Sequence, residues 1–272
     1  NTIPTTNNAS ADIVLGQPNF TSNSDNNGGI SATSLYRPKD VKVIANKLFI
    51  LDLGNSRIKI YNTIPTTNNA SADIVLGQPN MTNFNQMGSG GYDILSQPTD
   101  HYITEDGKLF VIDKPNHRVF IWNSIPTSSY PLNPDIILGQ PNLISNIINY
   151  GGISASSLYY PSSVAYCNNR IIVSESLNHR VLIWNSIPTT NNAAADVVLG
   201  QPNMTSNTAN NGGVSSISLN SPSGVLCHES KLYVTDTNNN RVLIWNSIPT
   251  VDRAPADVVI GQPNMTSNTA NN

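Results

Sequence analysis

An all-β fold made of repeated four-stranded units is what three features of the sequence predict. The first is a fixed period. The segment Ala11-Asp-Ile-Val-Leu-Gly-Gln-Pro18 returns at 72–79, 134–141, 195–202 and 256–263, and its aspartates fall at 12, 73, 135, 196 and 257, spacings of 61, 62, 61 and 61. The second is that each period holds four short apolar runs rich in β-branched and aromatic residues, which read as strands. The third is that no window keeps a 3.6-residue hydrophobic period, so almost no helix is expected.

The elements follow in order. Strand A is the Asp-Ile-Val-Leu run at residues 12–15 and its equivalents. Strand B follows a recurring proline at Pro38, Pro98, Pro161 and Pro222. Strand C is Leu48–Leu51 and its copies, Leu109–Ile112, Ile171–Val173 and Leu232–Val234. Strand D opens on an arginine and ends on an aromatic residue, Tyr61, Trp122, Trp184 or Trp245. Between C and D lies a tight polar turn with an acid at its start and an arginine five residues later: Asp52/Arg57, Asp113/Arg118, Glu175/Arg180 and Asp236/Arg241. C and D therefore read as a hairpin whose mouth is closed by a structural ion pair. Repetition in every unit favours this over a charged active site, which needs only one copy.

Four-stranded units at a fixed period predict a β-propeller of four-stranded blades, with four complete repeats plus one surplus strand. The repeat units run at about 11–62, 72–123, 134–185 and 195–246 within a single domain, leaving a surplus half-repeat at 247–272. The segment Pro-Ser-Gly-Val … Lys-Leu-Tyr-Val-Thr-Asp-Thr-Asn-Asn-Asn-Arg-Val at 222–242 resembles the NHL repeat, and the likeness extends over all four periods. The resemblance implies a β-propeller whose members mostly bind proteins, RNA or glycans on one face, with a few lyases among their relatives. This chain departs from that pattern in repeat length, since blades of this kind take roughly 40–45 residues. The excess is a polar linker between A and B, such as 203–219, expected to decorate one rim.

Composition narrows the partners. Charged residues make up 11% of the chain, against about 25% in an average domain. A net charge of −3 provides no basic face and argues against nucleic acid. No apolar run approaches the length of a membrane span. The Asn/Ser/Thr-rich surface points to an extracellular or cell-surface setting. There, Asn8, Asn19, Asn69, Asn80, Asn203 and Asn264 head Asn-x-Ser/Thr sequons and are candidate N-glycosylation sites. Cys167 and Cys227 fall at the same place in adjacent B strands by this reading. They are expected to be unbonded, because packed sheets stand about 10 Å apart and a disulfide needs Cα atoms within about 7 Å.

No nucleophile elbow, phosphate loop or metal-ligand spacing is present, and no cofactor or metal is expected. The A-strand aspartates are expected to cap turns, not to ring a cation. If the chain were a lyase or hydrolase, its acids and bases would sit in the most divergent period, at Asp100, His101, Glu105 and Asp106. The favoured expectation is a non-catalytic extracellular repeat protein, a structural scaffold or filament subunit. It would assemble with copies of itself, head to tail, through a terminal strand comprising Asp257, Val258, Val259 and Ile260. The alternative is a binding module that holds a glycan or protein ligand in the long A–B loops.

Overall fold

A computed structural model describes residues 5–84, 95–129 and 133–270. It contains four four-stranded antiparallel sheets, a β-propeller architecture. Blade 1 holds β1 (Pro38–Ile44), β2 (Lys47–Asp52), β3 (Arg57–Tyr61) and β4 (Ile74–Leu76). Blade 2 holds β5 (Asp100–Ile103), β6 (Leu109–Asp113), β7 (Arg118–Trp122) and β8 (Ile136–Leu138). Blade 3 holds β9 (Pro161–Cys167), β10 (Arg170–Glu175), β11 (Arg180–Trp184) and β12 (Val197–Leu199). Blade 4 holds β13 (Pro222–His228), β14 (Lys231–Asp236), β15 (Arg241–Trp245) and β16 (Val258–Ile260).

The phase of the repeat differs from the sequence expectation. Strand A closes the blade before it and does not open the one after. In blade 3, for example, Val181, Leu182 and Ile183 of β11 face Leu199, Val198 and Val197 of β12. The cause is the A-strand aspartate. Asp73, Asp135, Asp196 and Asp257 each accept a 2.7 Å hydrogen bond from the backbone N–H of the asparagine just after strand D, namely Asn62, Asn123, Asn185 and Asn246. That bond folds A back onto D. The terminal strand expected to be free is therefore β16, paired with β15 through Val242↔Ile260, Leu243↔Val259 and Ile244↔Val258. The unpaired copy is at residues 12–15, which form no strand.

Side chains fill the gaps between blades on alternate strand positions, as sheet geometry requires. Between blades 2 and 3, Phe110, Ile112, Val119 and Ile121 meet Val164, Ile171, Val173, Leu182 and Trp184. The terminal tryptophans pack against the preceding blade, and the indole N–H of Trp184 and Trp245 donates to the carbonyls of Ala193 and Ala254 at 3.0 Å. The glycine of Leu-Gly-Gln-Pro is a requirement of the same packing. Gly200 has φ +86°, and a Cβ there would lie 2.7 Å from Leu219.

At the centre, the inner strands β1, β5, β9 and β13 stand side by side in that order. They converge more closely than stacked sheets do, and this overturns the expectation for the cysteines. Cys167 and Cys227 form a disulfide with Cα atoms 6.0 Å apart. They are also offset by one register step: Cys167 faces Arg170, whereas Cys227 faces Leu232. The bond closes a loop across a sequence separation of 60. Reduction, or Cys227→Ser, is expected to cost about 2–4 kcal/mol, read as a lower urea midpoint. Equal midpoints for oxidised and reduced protein would exclude that contribution.

Candidate functional site

Four arginine centres hold the hairpin turns. Arg180 Nε donates to Glu175 Oε2 at 2.5 Å. Its Nη1 donates to the Met204 carbonyl at 2.6 Å, and its Nη2 to those of Ser154 and Ser157 at 3.1 and 2.9 Å. Arg57 and Arg241 repeat the arrangement on Asp52 and Asp236 with the linkers on either side, and Arg118 pairs with Asp113 at 2.7 Å. The acid's other oxygen accepts a backbone N–H from the linker, as Asp52 does from Tyr36 at 2.7 Å. Burial pushes the Asp113 and Glu175 carboxyls up, against the pull of their arginines. Each centre fastens one hairpin and two linkers, and every polar group it shows is engaged within the fold.

The linkers are ordered by the same economy. Asn203 Oδ1 accepts from the N–H and hydroxyl of Thr205 and the hydroxyl of Ser206. Asn19, Asn80 and Asn264 do likewise with their own threonines. The sequon threonine thus closes an Asx turn, which accounts for the motif's recurrence without modification. Asn8, Asn19, Asn80, Asn203 and Asn264 are exposed, and Asn69 is half-buried.

The axial mouth gathers the chemistry that the sequence singled out in the second period. A cavity of about 340 Å³ is lined by Lys42, Asp100, His101, Tyr102, Ser163 and Leu226, among others. Asp100 Oδ2 accepts the Ser163 hydroxyl at 2.6 Å and the Val164 N–H at 2.9 Å. Ser163 Oγ in turn accepts the Val225 N–H at 3.3 Å. Each of these side chains staples its inner strand to the next. Burial raises the Asp100 carboxyl. His101, fully buried, places Nδ1 2.9 Å from Asp40 Oδ2. Burial pushes the Asp40 carboxyl up, but His101 and Lys42 beside it outweigh that and hold it down at about 2. Glu105 and Asp106 lie away from the axis in the β5–β6 turn, where Asp106 pairs with Lys108 and Thr104. Among the described residues no group of three His, Cys, Asp or Glu side chains gathers to hold a metal, and no helix is long and apolar enough to cross a membrane.

His117 and His179 are turn residues with a role the sequence did not reveal. Both adopt a left-handed backbone, φ 55° and 52°. Their Nδ1 atoms accept the N–H of Tyr160 and Ser221 in the following blade, at 3.3 and 3.0 Å. Ser56 Oγ does the same for Gln97. The signal was present as a repeated turn position filled only by Ser, His and Asn.

The two outer flanks of the four-blade array are unlike. On blade 4, Leu226, Val258 and Ile260 are 57%, 42% and 55% exposed, whereas their blade 3 equivalents Ala165, Val197 and Leu199 are 2%, 1% and 0% exposed under blade 4. On blade 1, Val41 and Val43 are exposed, but the rest of the flank is roofed by linker residues including Leu15 and Leu35. Lys59 stands where β7, β11 and β15 have Phe120, Leu182 and Leu243. Its Nζ donates to the Ala32 and Ser34 carbonyls of that linker. Burial, reinforced by Arg57, lowers its ammonium to about 7.

Two outcomes follow from these contacts. Arg180→Leu strands a buried carboxylate and is expected to cost about 3–5 kcal/mol by chemical denaturation. Adding Glu175→Leu should recover only part of this, because three linker carbonyls still lack a donor; full recovery would reduce the centre to an ion pair. His117 is held down to about 4 by burial, below its ordinary value near 6.5, so between these values the unfolded chain binds the extra proton. Stability should be complete above pH 6.5 and fall as pH drops toward 4. Melting curves of His117→Ser should show a shallower fall, and parallel curves would remove His117 from the account.

No protein-family model matches the chain, and no curated protein matches it. Among solved structures it is similar to one in a nidogen/laminin complex, at 15% identity and TM-score 0.49, covering 88% of this chain and 68% of that one. It is also similar to catalytically inactive virginiamycin B lyase from Staphylococcus aureus with quinupristin, at 13% identity and TM-score 0.44, covering 85% of this chain and 57% of that one. A third is the computationally designed Ika4 protein, at 8% identity and TM-score 0.43, covering 88% of this chain and 99% of that one. The chain thus spans less than two thirds of the lyase's length.

Proposed function

We propose that this chain is a non-catalytic repeat scaffold of the NHL-like kind, which self-associates through the apolar flank of blade 4. The observation that carries the reading is the contrast in exposure between Leu226, Val258 and Ile260 and their blade 3 equivalents. In blades 1 to 3 the counterparts of Val258 and Ile260 are core between neighbours, and the counterpart of Leu226 is so in blade 3, so the exposed set has the chemistry of a surface made to be covered by a blade. The buried acids and arginines elsewhere support a non-enzymatic role, since Asp52, Asp113, Glu175 and Asp236 and their arginines are committed to turns and linkers, and Asp100 to an inter-blade staple. The disulfide supports an oxidising, extracellular compartment.

A second reading is favoured by one observation. His101 Nε2 has no hydrogen-bond partner among the described residues, and the axial cavity beside it offers Lys42 and Asp100 to a small polar ligand. In this reading the chain is a binding module that works at the mouth, not in the A–B loops, which the arginine centres tie down.

Light scattering across a concentration series separates the two. Self-association predicts mass above 29.3 kDa that rises with concentration and is lost in Leu226→Asp. A monomer at every concentration sinks the scaffold and moves the function to the axial mouth.

A further inference from the structure

We infer that the linker between blades 2 and 3 is a lipid contact. Ile144, Ile147 and Ile148 form an aliphatic tip that enters the headgroup boundary of a zwitterionic phospholipid bilayer. This contact is separate from the blade 4 flank and does not depend on it.

This linker is built like its counterpart between blades 3 and 4. Gln140 Nε2 donates to the Ile147 carbonyl at 2.8 Å, as Gln201 Nε2 does to that of Thr208 at 2.9 Å. Asn142 Oδ1 accepts the N–H of Ile144 at 3.1 Å, as Asn203 Oδ1 accepts that of Thr205 at 3.0 Å. Arg118 holds the Leu143 carbonyl, and Arg180 that of Met204. Asn149 pairs with Asn178, and Asn210 with Asn239. The two backbones thus follow one hydrogen-bonded course, and only the side chains differ. Asn142-Leu-Ile-Ser-Asn-Ile-Ile-Asn-Tyr150 stands against Asn203-Met-Thr-Ser-Asn-Thr-Ala-Asn-Asn211. Two threonines and an alanine build the same loop, so the fold does not require the isoleucines. Ile144 also forgoes the bond that the Thr205 hydroxyl makes to Asn203 Oδ1 at 2.9 Å.

Ile144, Ile147 and Ile148 are 74%, 56% and 49% exposed, and Ile144 is the most exposed large apolar side chain among the described residues. The linker lies inside the array, between two blades that both pack on it. Its start is fixed to the β6–β7 turn, where Gln140 Nε2 donates to the His117 carbonyl at 3.3 Å, and its end to the β10–β11 turn, where Asn178 Nδ2 donates to Asn149 Oδ1 at 2.8 Å. On that second turn Leu177 is exposed, and so is Tyr160, whose carbonyl accepts the Ser176 N–H at 3.3 Å. The tip therefore shares the hairpin-turn side of the array with an exposed leucine and tyrosine. No charged residue occurs between Asp135 and Arg170.

Size, shape and charge select the partner. A specific protein interface buries about 1,200 Å² or more in total, and three isoleucines with two neighbours fall far short of that. The tip projects, so it offers no groove for a partner's side chain. A bilayer requires neither area nor complementary shape: it takes a projecting apolar group into the acyl boundary and gives a tyrosine a place at headgroup level. Charge then decides between lipids. Lys114 Nζ stands at the edge of the patch, 5.8 Å from the Tyr160 ring centroid, whereas anchoring to anionic lipid takes a cluster of about four or more such cations. With a net charge of −3 on the chain, the surface that fits is zwitterionic.

Flotation of the whole chain with phosphatidylcholine vesicles tests this. The parent should float in proportion to the lipid present, equally at low and high salt. The triple variant Ile144→Thr, Ile147→Thr, Ile148→Ala carries the side chains of the blade 4 linker. It should keep the parent's melting curve and lower the partition coefficient about tenfold or more. Should it not fold, Ile144→Asp at the most exposed position replaces it, with the same loss expected. A parent that stays in the aqueous layer at every lipid concentration overturns the inference, and so does a variant that floats like the parent. Flotation only when phosphatidylserine is present, and lost at high salt, also overturns it, because charge and not the isoleucines then holds the chain. If the parent ignores vesicles but light scattering shows mass that the triple variant loses, the tip is a contact between copies and the lipid contact falls.

Discussion

The buried guanidinium at the start of each strand D is the contact on which the rest of the molecule depends. An isolated ion pair at such depth contributes little, because desolvation offsets the attraction. Here the charge is shared among a carboxylate and carbonyls from two separate linkers, as Arg57 shows with Asp52, Met81, Ser31 and Ser34. The linkers are therefore part of the blade. The long repeat is not a short blade with decoration: the linkers carry Leu95, Leu158 and Leu219 into the cores between blades, and a roof of carbonyls over an arginine.

The same logic runs along the axis by smaller means. Asp100 holds the next inner strand through two hydrogen bonds and Ser163 through one, and the disulfide does so covalently for blades 3 and 4. Side chains that look catalytic in a list of residue types are consumed in this stitching. His101 is engaged through Nδ1 with Asp40, while its Nε2 has no hydrogen-bond partner among the described residues.

Much of this was legible in the sequence, and what was not has identifiable causes. The hairpin of C and D was plain because both strands and their turn are contiguous, as in Lys231–Trp245. The phase of the blade was not, because a periodic chain reads equally well from any starting point. The bond from Asn185 N–H to Asp196 breaks that degeneracy, and it spans a connection with no strand signal. The cysteine pairing failed for a geometric reason: a sheet spacing measured at mid-blade does not hold where strands converge. Counting from Pro161 to Cys167 and from Pro222 to Cys227 gives different offsets, six and five, so the register slip was readable without the structure. The flanks were partly legible, since Lys59 breaks an otherwise apolar column, but only packing shows which neighbour it faces.

The covalent link between blades 3 and 4 has a mechanical consequence. A chain of this kind pulled from its ends would peel blade by blade, each blade lengthening the tether as its strands unzip. The residues between Cys167 and Cys227, a separation of 60, lie inside the crosslinked loop and cannot contribute. At about 3.4 Å per extended residue, roughly 200 Å of contour is withheld from the tether. Blades 1 and 2 have no such protection among the described residues. Under load the segment from Cys167 to Cys227, with β10, β11 and β12 inside it, is held back while the rest of the array extends.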